Sequence, residues 1–376
     1  MWDRMKKNYL LLPVLLVGFS SSVQAVELPS EARERPFRMG YLSLNADYNE
    51  AKPLAMSDAG FVVNSGVLVG SFDDRWIGGV TIETGRPLWW FDGKVTMTAP
   101  PGSFGSSVMV GFRDGKIVKL DALTGKKLWT ASLDSFSERP FMLTGTTLYV
   151  LTAAQVLHAI DFQTGKIHWL FDGGFPDGLS VHGGVKPIIH DGKILFGVAN
   201  GEVVAVDAET GKLAWRYNPA YNDQKFHSVI GEIVVRNNKL LMTRYDGLVA
   251  SIDLASSIRA VSWEETVSGL TTSTFRNGRY YVGTVTGEVI ALDPDKPGKK
   301  QVWRTVAGSP VVSIVAGETT LYIGGSEGRV TALDAASGEI LWHDKLGSSI
   351  FGPPALFESS IFYSTGLKSI YAYKLK

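Results

Sequence analysis

An acidic residue that recurs in one short phrase is the first candidate for chemistry in this chain. The phrase reads DALTGKKLW at Asp121–Trp129 and DAETGKLAW at Asp207–Trp215, with close copies at Asp161–Trp169 and Asp334–Trp342. A carboxylate in this position could act as a general acid or base. A catalytic group has no reason to recur in every unit, however, whereas an Asp that fixes a turn does. We therefore predict that these Asp residues are structural, that the chain has no catalytic residue and that it is not an enzyme.

Side chains that bind metals or act as nucleophiles show none of the spacings that those roles need. The six histidines are never two or four residues apart, and the chain has no cysteine. Thiolate metal sites, disulfides and a catalytic cysteine are thereby excluded. P-loop and H-E-x-x-H patterns are also absent from the sequence. We predict no metal site.

The recurring phrase also measures the length of a repeat. Its Asp, or the residue aligned with that Asp, recurs at intervals of 40, 40, 46, 46, 40, 41 and 39 residues. Self-similarity at such a period indicates a repeat architecture. The aligned positions are Thr81, Asp121, Asp161, Asp207, Asp253, Asp293, Asp334 and Tyr373.

Each repeat contains four short β-forming runs that are separated by Gly, Asn and Asp turns, and no useful helical periodicity follows residue 26. Four antiparallel strands in about 40 residues are typical of one β-propeller blade. The sequence therefore predicts an all-β, eight-bladed propeller, with seven blades as the fallback. The last repeat lacks its fourth strand, and we expect a strand near Phe37–Leu44 to supply it and close the ring.

The turn and the tryptophan of the phrase have separate predicted roles. The Gly is expected to adopt positive φ, and the Asp and Thr are expected to bond nearby backbone groups. The Trp lies on the outermost strand of its repeat, where it is expected to wedge between blades and bury roughly 150–250 Å². The structural residues assigned in this way are Asp121, Gly125, Trp129, Asp161, Gly165, Trp169, Asp207, Gly211, Trp215, Asp334, Gly338 and Trp342.

Two consecutive long intervals point to a binding site. Both are 46 residues, so extra residues fall in two neighbouring inter-blade loops, Leu170–Lys186 and Arg216–Glu232. Lengthened loops on a rigid scaffold are common binding sites, and aromatic side chains on them suit a protein partner. The alternative is that the extra residues only pad a blade junction. The predicted partner-binding residues are Phe175, Leu179, His182, Tyr217, Tyr221, Phe226 and His227.

The start of the chain predicts export. Arg4, Lys6 and Lys7 precede a short apolar run, and small residues then lead to Ala25, as in a cleaved secretory signal peptide. We predict a signal peptide at residues 1–25 and a single propeller domain at residues 26–376, in the periplasm as a soluble monomer with no lipid anchor. The formal net charge of zero indicates no overall attraction to nucleic acid or to an acidic membrane, and no segment predicts membrane insertion.

The repeat pattern, with Gly six residues before the Asp and Trp eight residues after it, resembles the PQQ-type repeat of quinoprotein propellers. One branch of that family, the quinoprotein dehydrogenases, implies pyrroloquinoline quinone and calcium. Those enzymes are longer and usually carry an adjacent cysteine pair, whereas this chain has no cysteine. We therefore predict no cofactor, and a minimal quinone-dependent oxidoreductase remains the alternative, together with small-ligand binding in the central channel.

A second branch, the outer-membrane assembly lipoprotein family BamB, is similar in size and is non-catalytic. The stretch LSVHGGVKP resembles the L-S-L-R-G loop of that family, because Leu179, Ser180 and Gly183 match while His182 replaces Arg. Ser228-Val229-Ile230 stands where the family has D-V-D, and the lipid-bearing cysteine is missing. The resemblance implies a protein-interaction scaffold in envelope or outer-membrane protein assembly, with a β-barrel assembly component as the expected partner.

Overall fold

Eight sheets, each of four antiparallel strands, account for the regular structure of the chain. The computed structural model describes residues 37–43, 60–71, 75–174, 185–218, 226–256, 258–350, 352–366 and 369–375. The described residues contain no helix. The predicted signal peptide, residues 1–25, lies outside them, and so does the proposed start of the domain at residue 26.

The strands follow one another blade by blade. The chain begins with β1 (Phe37–Ser43), which belongs to the last blade. Blades 1 to 4 are built from β2 (Phe61–Asn64), β3 (Val67–Ser71), β4 (Trp76–Thr81), β5 (Pro87–Asp92); β6 (Gly102–Phe104), β7 (Ser107–Gly111), β8 (Lys116–Asp121), β9 (Lys127–Ser132); β10 (Met142–Thr144), β11 (Thr147–Leu151), β12 (Val156–Asp161), β13 (Ile167–Asp172); and β14 (Ile188–His190), β15 (Lys193–Gly197), β16 (Val203–Asp207), β17 (Leu213–Tyr217). Blades 5 to 8 are built from β18 (Val229–Arg236), β19 (Lys239–Arg244), β20 (Leu248–Asp253), β21 (Val261–Thr266); β22 (Leu270–Arg276), β23 (Arg279–Thr284), β24 (Glu288–Leu292), β25 (Gln301–Val306); β26 (Val311–Ala316), β27 (Thr320–Gly325), β28 (Arg329–Asp334), β29 (Ile340–Lys345); and β30 (Ala355–Phe357), β31 (Ser360–Ser364), β32 (Ser369–Lys374) with β1.

The burial of each strand reflects its place in the blade. The third strands are apolar runs that are buried on both faces, as in VVAVD of β16, because neighbouring blades cover them on either side. The fourth strands alternate between more and less exposed residues, as in IHWLFD of β13, because only one of their faces meets the next blade. The first strands of neighbouring blades contact one another, as β18 does with β22, and therefore lie nearest the propeller axis.

The ring closes through the N-terminal strand. β1 pairs antiparallel with β32, from Phe37 opposite Lys374 to Ser43 opposite Ser369, and so becomes the outermost strand of blade 8. The first strand of that blade, β30, also contacts β2 of blade 1. The eight-bladed propeller and its closing strand, both predicted from the repeat, are confirmed. β1 thus pairs with the side of β32 that would otherwise lack a partner, and blade 8 has four strands like the others.

Each joint between typical blades is a contact from a tryptophan to the turn of the following blade. The indole N–H groups of Trp89 and Trp129 donate to the carbonyl oxygens of Ala122 and Phe162 at 3.0 Å, and in each case the acceptor is the residue after the aligned Asp. Trp303 donates to Ala335 in the same way at 3.2 Å. The indole ring thus donates a hydrogen bond to the turn and also covers it.

The Gly of the turn lies directly beneath that ring. A Cβ atom on Gly125 would lie 2.4 Å from the Trp89 ring, and one on Gly165 would lie 2.7 Å from the Trp129 ring. The φ angles of these glycines are 67° and 76°, in the left-handed region that disfavours residues with a Cβ. Two independent constraints, backbone conformation and the space under the indole, therefore require Gly at this position.

The joints of blade 5 depart from this arrangement because the Asp-containing turns of blades 5 and 6 are two residues longer. Arg259 takes the place of the turn Gly, with φ at 49°, and its guanidinium carbon lies 4.4 Å from the centre of the Trp215 ring. At the following joint, Lys300 lies over Trp263 at 5.8 Å. A cation thus replaces the Gly–indole contact on both sides of blade 5.

The Asp of the phrase accepts hydrogen bonds from the Thr three residues later. Asp207 Oδ1 accepts from the backbone N–H of Thr210 at 2.8 Å and from its hydroxyl at 2.6 Å. Asp121 and Asp161 make the same pair of bonds to their own Thr. The Thr hydrogen bonds hold the pKa of these three carboxyls below the ordinary value of 3.8. This geometry supports the proposal that the repeated Asp residues shape the turn.

Gly165→Ala is expected to destabilise the propeller more than Gly145→Ala. Both glycines have positive φ, but a Cβ at Gly145 would meet nothing within 4 Å. Gly145→Ala should cost about 1 kcal/mol from backbone strain alone, and Gly165→Ala should cost about 1–3 kcal/mol more, because the Trp129 ring must move. Urea denaturation monitored by tryptophan fluorescence measures both. Equal losses would contradict the indole contact as the reason for Gly165.

The turn carboxylates should make stability depend on pH. Because their pKa is lowered in the folded state, their contribution is present above pH 3.8 and is lost as pH falls towards the folded-state pKa. The triple variant Asp121→Asn/Asp161→Asn/Asp207→Asn should unfold at a lower temperature than the parent at pH 6, and the difference should shrink below about pH 4. Melting curves across this range test the effect, and a difference that is independent of pH would refute it.

Candidate functional site

The two ends of the ring carry different connections. The end that we call the loop face carries the inter-blade connections and the hairpins between second and third strands, such as 244–247. The other end, the turn face, carries the hairpins between first and second strands and the Asp-containing turns. Leu133 N–H bonds to the Gly115 carbonyl and Gly173 N–H to the Gln155 carbonyl, both at 2.9 Å, so that hairpins and inter-blade connections meet on the loop face.

The predicted partner-binding residues are divided by what the structure describes. Phe175, Leu179, His182 and Tyr221 lie outside the described residues. Tyr217 ends β17 and packs against the hydrophobic core between blades 4 and 5. Phe226 and His227 directly precede β18, at the end of the second long loop, on the loop face. Their binding role stays a prediction.

An ion pair lies beneath this segment. The Arg244 Nε atom donates to Asp246 Oδ1 at 3.1 Å, and Nη2 donates to Oδ2 of the same carboxylate. The Arg244 side chain is fully buried, and that of Asp246 is 2 % exposed. Burial acts to raise the pKa of Asp246, but the hydrogen bonds and charge of Arg244, with a hydrogen bond from His227, outweigh it and lower the pKa overall. Asp246 is therefore ionised at neutral pH.

The ion pair holds both described ends of the second long loop. Near the start of the loop, the Asn218 side-chain oxygen accepts from Arg244 Nη1 at 3.2 Å. Near its end, His227 Nδ1 lies 3.2 Å from Asp246 Oδ2 and 3.4 Å from Arg244 Nη2. A buried bidentate pair has little freedom to move, so the residues on either side of 219–225 share one fixed anchor.

The segment that enters blade 5 also rests on blade 4. The Ser228 hydroxyl donates to the Ala199 carbonyl at 3.1 Å, and a Cβ on Gly201 would lie 2.9 Å from the Cβ of His227. Phe226 has a φ of 75° and packs edge-to-face on Tyr245, with ring centres 6.4 Å apart. Tyr245 is 42 % exposed. The result is an aromatic pair that is supported from below and faces solvent.

The first long loop is anchored in a similar way by an arginine of the following blade. Arg216 Nη1 donates to the Gly173 carbonyl at 3.0 Å, near the start of the loop, and lies 3.5 Å from Glu202 Oε2. Its guanidinium carbon is 5.7 Å from the centre of the Phe171 ring. Both long loops therefore begin at a residue that is held by an arginine from the next blade.

Arg244, Tyr245 and Asp246 were not among the residues predicted from sequence. A signal for them exists once the hairpins are aligned on the Gly at position 247. Arg244 then stands where the other blades have smaller or uncharged residues, and a lone Arg in that buried position requires a buried counter-charge. The aligned residues are Phe112, Thr152, Val198, Thr284 and Gly325.

The described residues do not fit the calcium-bound quinone that the wider repeat family implies. Within them, no three or more His, Cys, Asp or Glu side chains converge as a metal-ligand set. No chemistry is derived through that cofactor, and its absence stays a prediction. In the part of the chain that the structure describes, no helix is long and apolar enough to cross a membrane.

Comparison with known proteins defines the family. The family model described as outer membrane protein assembly factor BamB matches residues 73–305 and 286–376. This chain belongs to the BamB family. The curated BamB of Moranella endobia is 22 % identical over 322 residues, which cover 82 % of this chain and 80 % of that protein. The BamB of Bordetella pertussis is 20 % identical over 315 residues, covering 79 % and 78 %.

Solved structures agree on the architecture. BamB from Moraxella catarrhalis superposes with a TM-score of 0.76 at 18 % identity, covering 91 % of this chain and all of that one. A quinohemoprotein alcohol dehydrogenase from Pseudomonas putida HK5 also superposes, with a TM-score of 0.66 at 15 % identity, covering 89 % of this chain and 75 % of that one. At these identities the likeness shows the propeller fold alone.

Removing the carboxylate of Asp246 should be far more costly than removing its counterpart in blade 2. Asp246→Ala leaves the buried Arg244 charge uncompensated and should lower the free energy of unfolding by about 3–5 kcal/mol. Asp114 occupies the same hairpin position and pairs with Lys116, but both side chains are partly exposed. Asp114→Ala should therefore cost about 0–1 kcal/mol. Urea denaturation compares the two, and similar losses would refute the role of the buried pair.

Proposed function

We propose that this BamB-family protein is an exported, non-catalytic scaffold that binds a protein partner during outer-membrane protein assembly. The observation that carries the proposal is the anchoring of two adjacent long loops on one sector of a closed ring. The relatives are named as outer membrane protein assembly factors, and we infer the process from those names. The positively charged, apolar start of the sequence supports export to the periplasm.

The loop face of blades 4 and 5 has the properties of a contact surface for protein. Tyr245 is exposed while Phe226 supports it, and aromatic side chains of this kind dominate the binding energy of protein interfaces. The ion pair of Arg244 with Asp246 fixes the backbone on either side of the second loop. Preorganisation of this sort reduces the entropy lost on binding, so a modest surface can bind a partner specifically.

A photo-cross-linking amino acid in place of Tyr245 should capture a component of the outer-membrane protein assembly machinery in intact cells. The same amino acid in place of Leu123, which is 55 % exposed on the turn face of blade 2, is the matched control and should not capture that component. Phe226→Ala should weaken capture from a neighbouring position by about tenfold, as expected for loss of an interface aromatic. Equal capture from both positions, or none from Tyr245, would contradict the proposed surface.

The dehydrogenase alternative has one observation in its favour, which is the fold that it shares with quinohemoprotein alcohol dehydrogenases. It is tested separately by titrating the purified protein with pyrroloquinoline quinone and calcium. We expect no absorbance shift and no dye-linked alcohol oxidation. Either signal would make the scaffold role incomplete, whatever the cross-linking shows.

A further inference from the structure

Positive charge is concentrated on the turn face of blades 5 and 6. The four turns at 236–239, 253–261, 276–279 and 293–301 contain eight basic and three acidic residues, a net charge of +5 in a chain whose formal net charge is zero. The corresponding turns of blade 7, at 316–320 and 334–340, contain three acidic residues and no basic one. The net charge of the whole chain therefore conceals a local cationic surface, which we call the basic patch.

Hydrogen bonds join the four turns into one surface, and the 253–261 turn takes part through a bond of 2.9 Å from the Leu254 N–H to the Asn238 carbonyl. Arg236 bridges blades 5 and 6, because Nη1 donates to the Gly278 carbonyl at 3.3 Å and Nη2 pairs with Asp295 at 3.0 Å. Asn277 donates to the Glu318 carbonyl of blade 7 at 2.7 Å. The tips of the turns are thus held at fixed positions relative to one another.

Three cations of the basic patch are available for a ligand. Lys239, Arg276 and Lys299 are exposed, and within the described part of the chain their side chains make no hydrogen bond or ion pair. They come from three different turns, so their charges are spread across the surface and do not converge on one point. Such a distribution suits many anionic groups arranged in a plane better than a single small anion.

An apolar side chain lies within the same patch. Ile258 is 75 % exposed, the highest value among the large hydrophobic residues of the described chain. It lies in the lengthened turn of blade 5, next to Arg259, whose guanidinium is held against Trp215. An apolar side chain among cations, at the tip of a turn, matches the boundary between lipid headgroups and acyl chains.

From this arrangement we propose that the basic patch binds the headgroups of an anionic phospholipid membrane. Lys239, Arg276 and Lys299 contact lipid phosphates, and Ile258 enters the interfacial layer without spanning it. The loop face lies at the opposite end of the ring, so membrane contact leaves the proposed partner-binding surface uncovered. This inference goes beyond the scaffold function and does not depend on it.

Vesicle co-sedimentation tests the proposal with protein purified after export, whose N-terminus is verified by mass spectrometry. The parent protein should bind vesicles that contain phosphatidylglycerol and should not bind vesicles of phosphatidylcholine alone. Binding should weaken as salt rises from about 0.05 M to about 0.5 M, because the screening length becomes short. Indifference to lipid charge would overturn the proposal.

Two charge-reversal variants, one on the basic patch and one elsewhere on the turn face, locate the binding surface. Lys239→Glu/Arg276→Glu/Lys299→Glu should bind anionic vesicles at least about tenfold more weakly than the parent. The matched control reverses three exposed lysines on the turn face of blades 2 and 3, at Lys126, Lys127 and Lys166, and should bind within about twofold of the parent. Melting curves confirm that both variants are folded. Equal losses in the two variants would refute a specific patch.

The apolar contact and the competing ligand are tested in the same assay. Ile258→Ser should weaken binding a few-fold and leave its salt dependence unchanged, because no charge is altered. Polyglutamate is the competing probe for an acidic protein partner. Binding of polyglutamate without binding of anionic vesicles would replace the membrane proposal with a protein one.

Discussion

Contact between the tryptophan of one blade and the turn of the next is the interaction on which the rest of the structure depends. A single four-stranded blade cannot cover its own apolar faces, so it needs its neighbours. The indole supplies a large apolar surface and one directed hydrogen bond, as Trp129 does with the Phe162 carbonyl, and the two together fix the distance and orientation of adjacent blades. Repeated at the typical joints, and with β1 completing the last blade, this contact joins the eight sheets into a closed ring.

The candidate site depends on this fixed arrangement of adjacent blades. The second long loop begins and ends at residues that contact Arg244 or Asp246, and the first begins at a residue bonded to Arg216. Each arginine comes from the blade that follows its loop, so a loop is positioned only when two blades are correctly joined. Partner recognition on the loop face is thereby linked to the integrity of the joints between blades.

The joints around blade 5 are built differently, and the same blade contributes to both proposed binding surfaces. Its turn is longer, Arg259 replaces the Gly beneath the preceding indole, and Ile258 is directed into solvent. One local departure from the repeat therefore accounts for a cationic, partly apolar patch on the turn face. On the loop face, Arg244 is the corresponding departure. Residues that break a repeat without breaking the fold are the natural places to seek function.

The sequence by itself determined the period, the number of blades, the outer-strand tryptophans and the closing strand near Phe37. These features are written in local patterns, such as a Gly that needs positive φ and a Trp eight residues after the aligned position in five of the eight repeats, which recur and so confirm one another. The sequence also located the two long loops by their intervals. It could not show that Arg244 and Asp246 face each other in the interior, because a charge pair is recognised only when its surroundings are known. Nor could it show that eight basic residues from four separated turns share one face, since that requires the ring to bring blades 5 and 6 side by side.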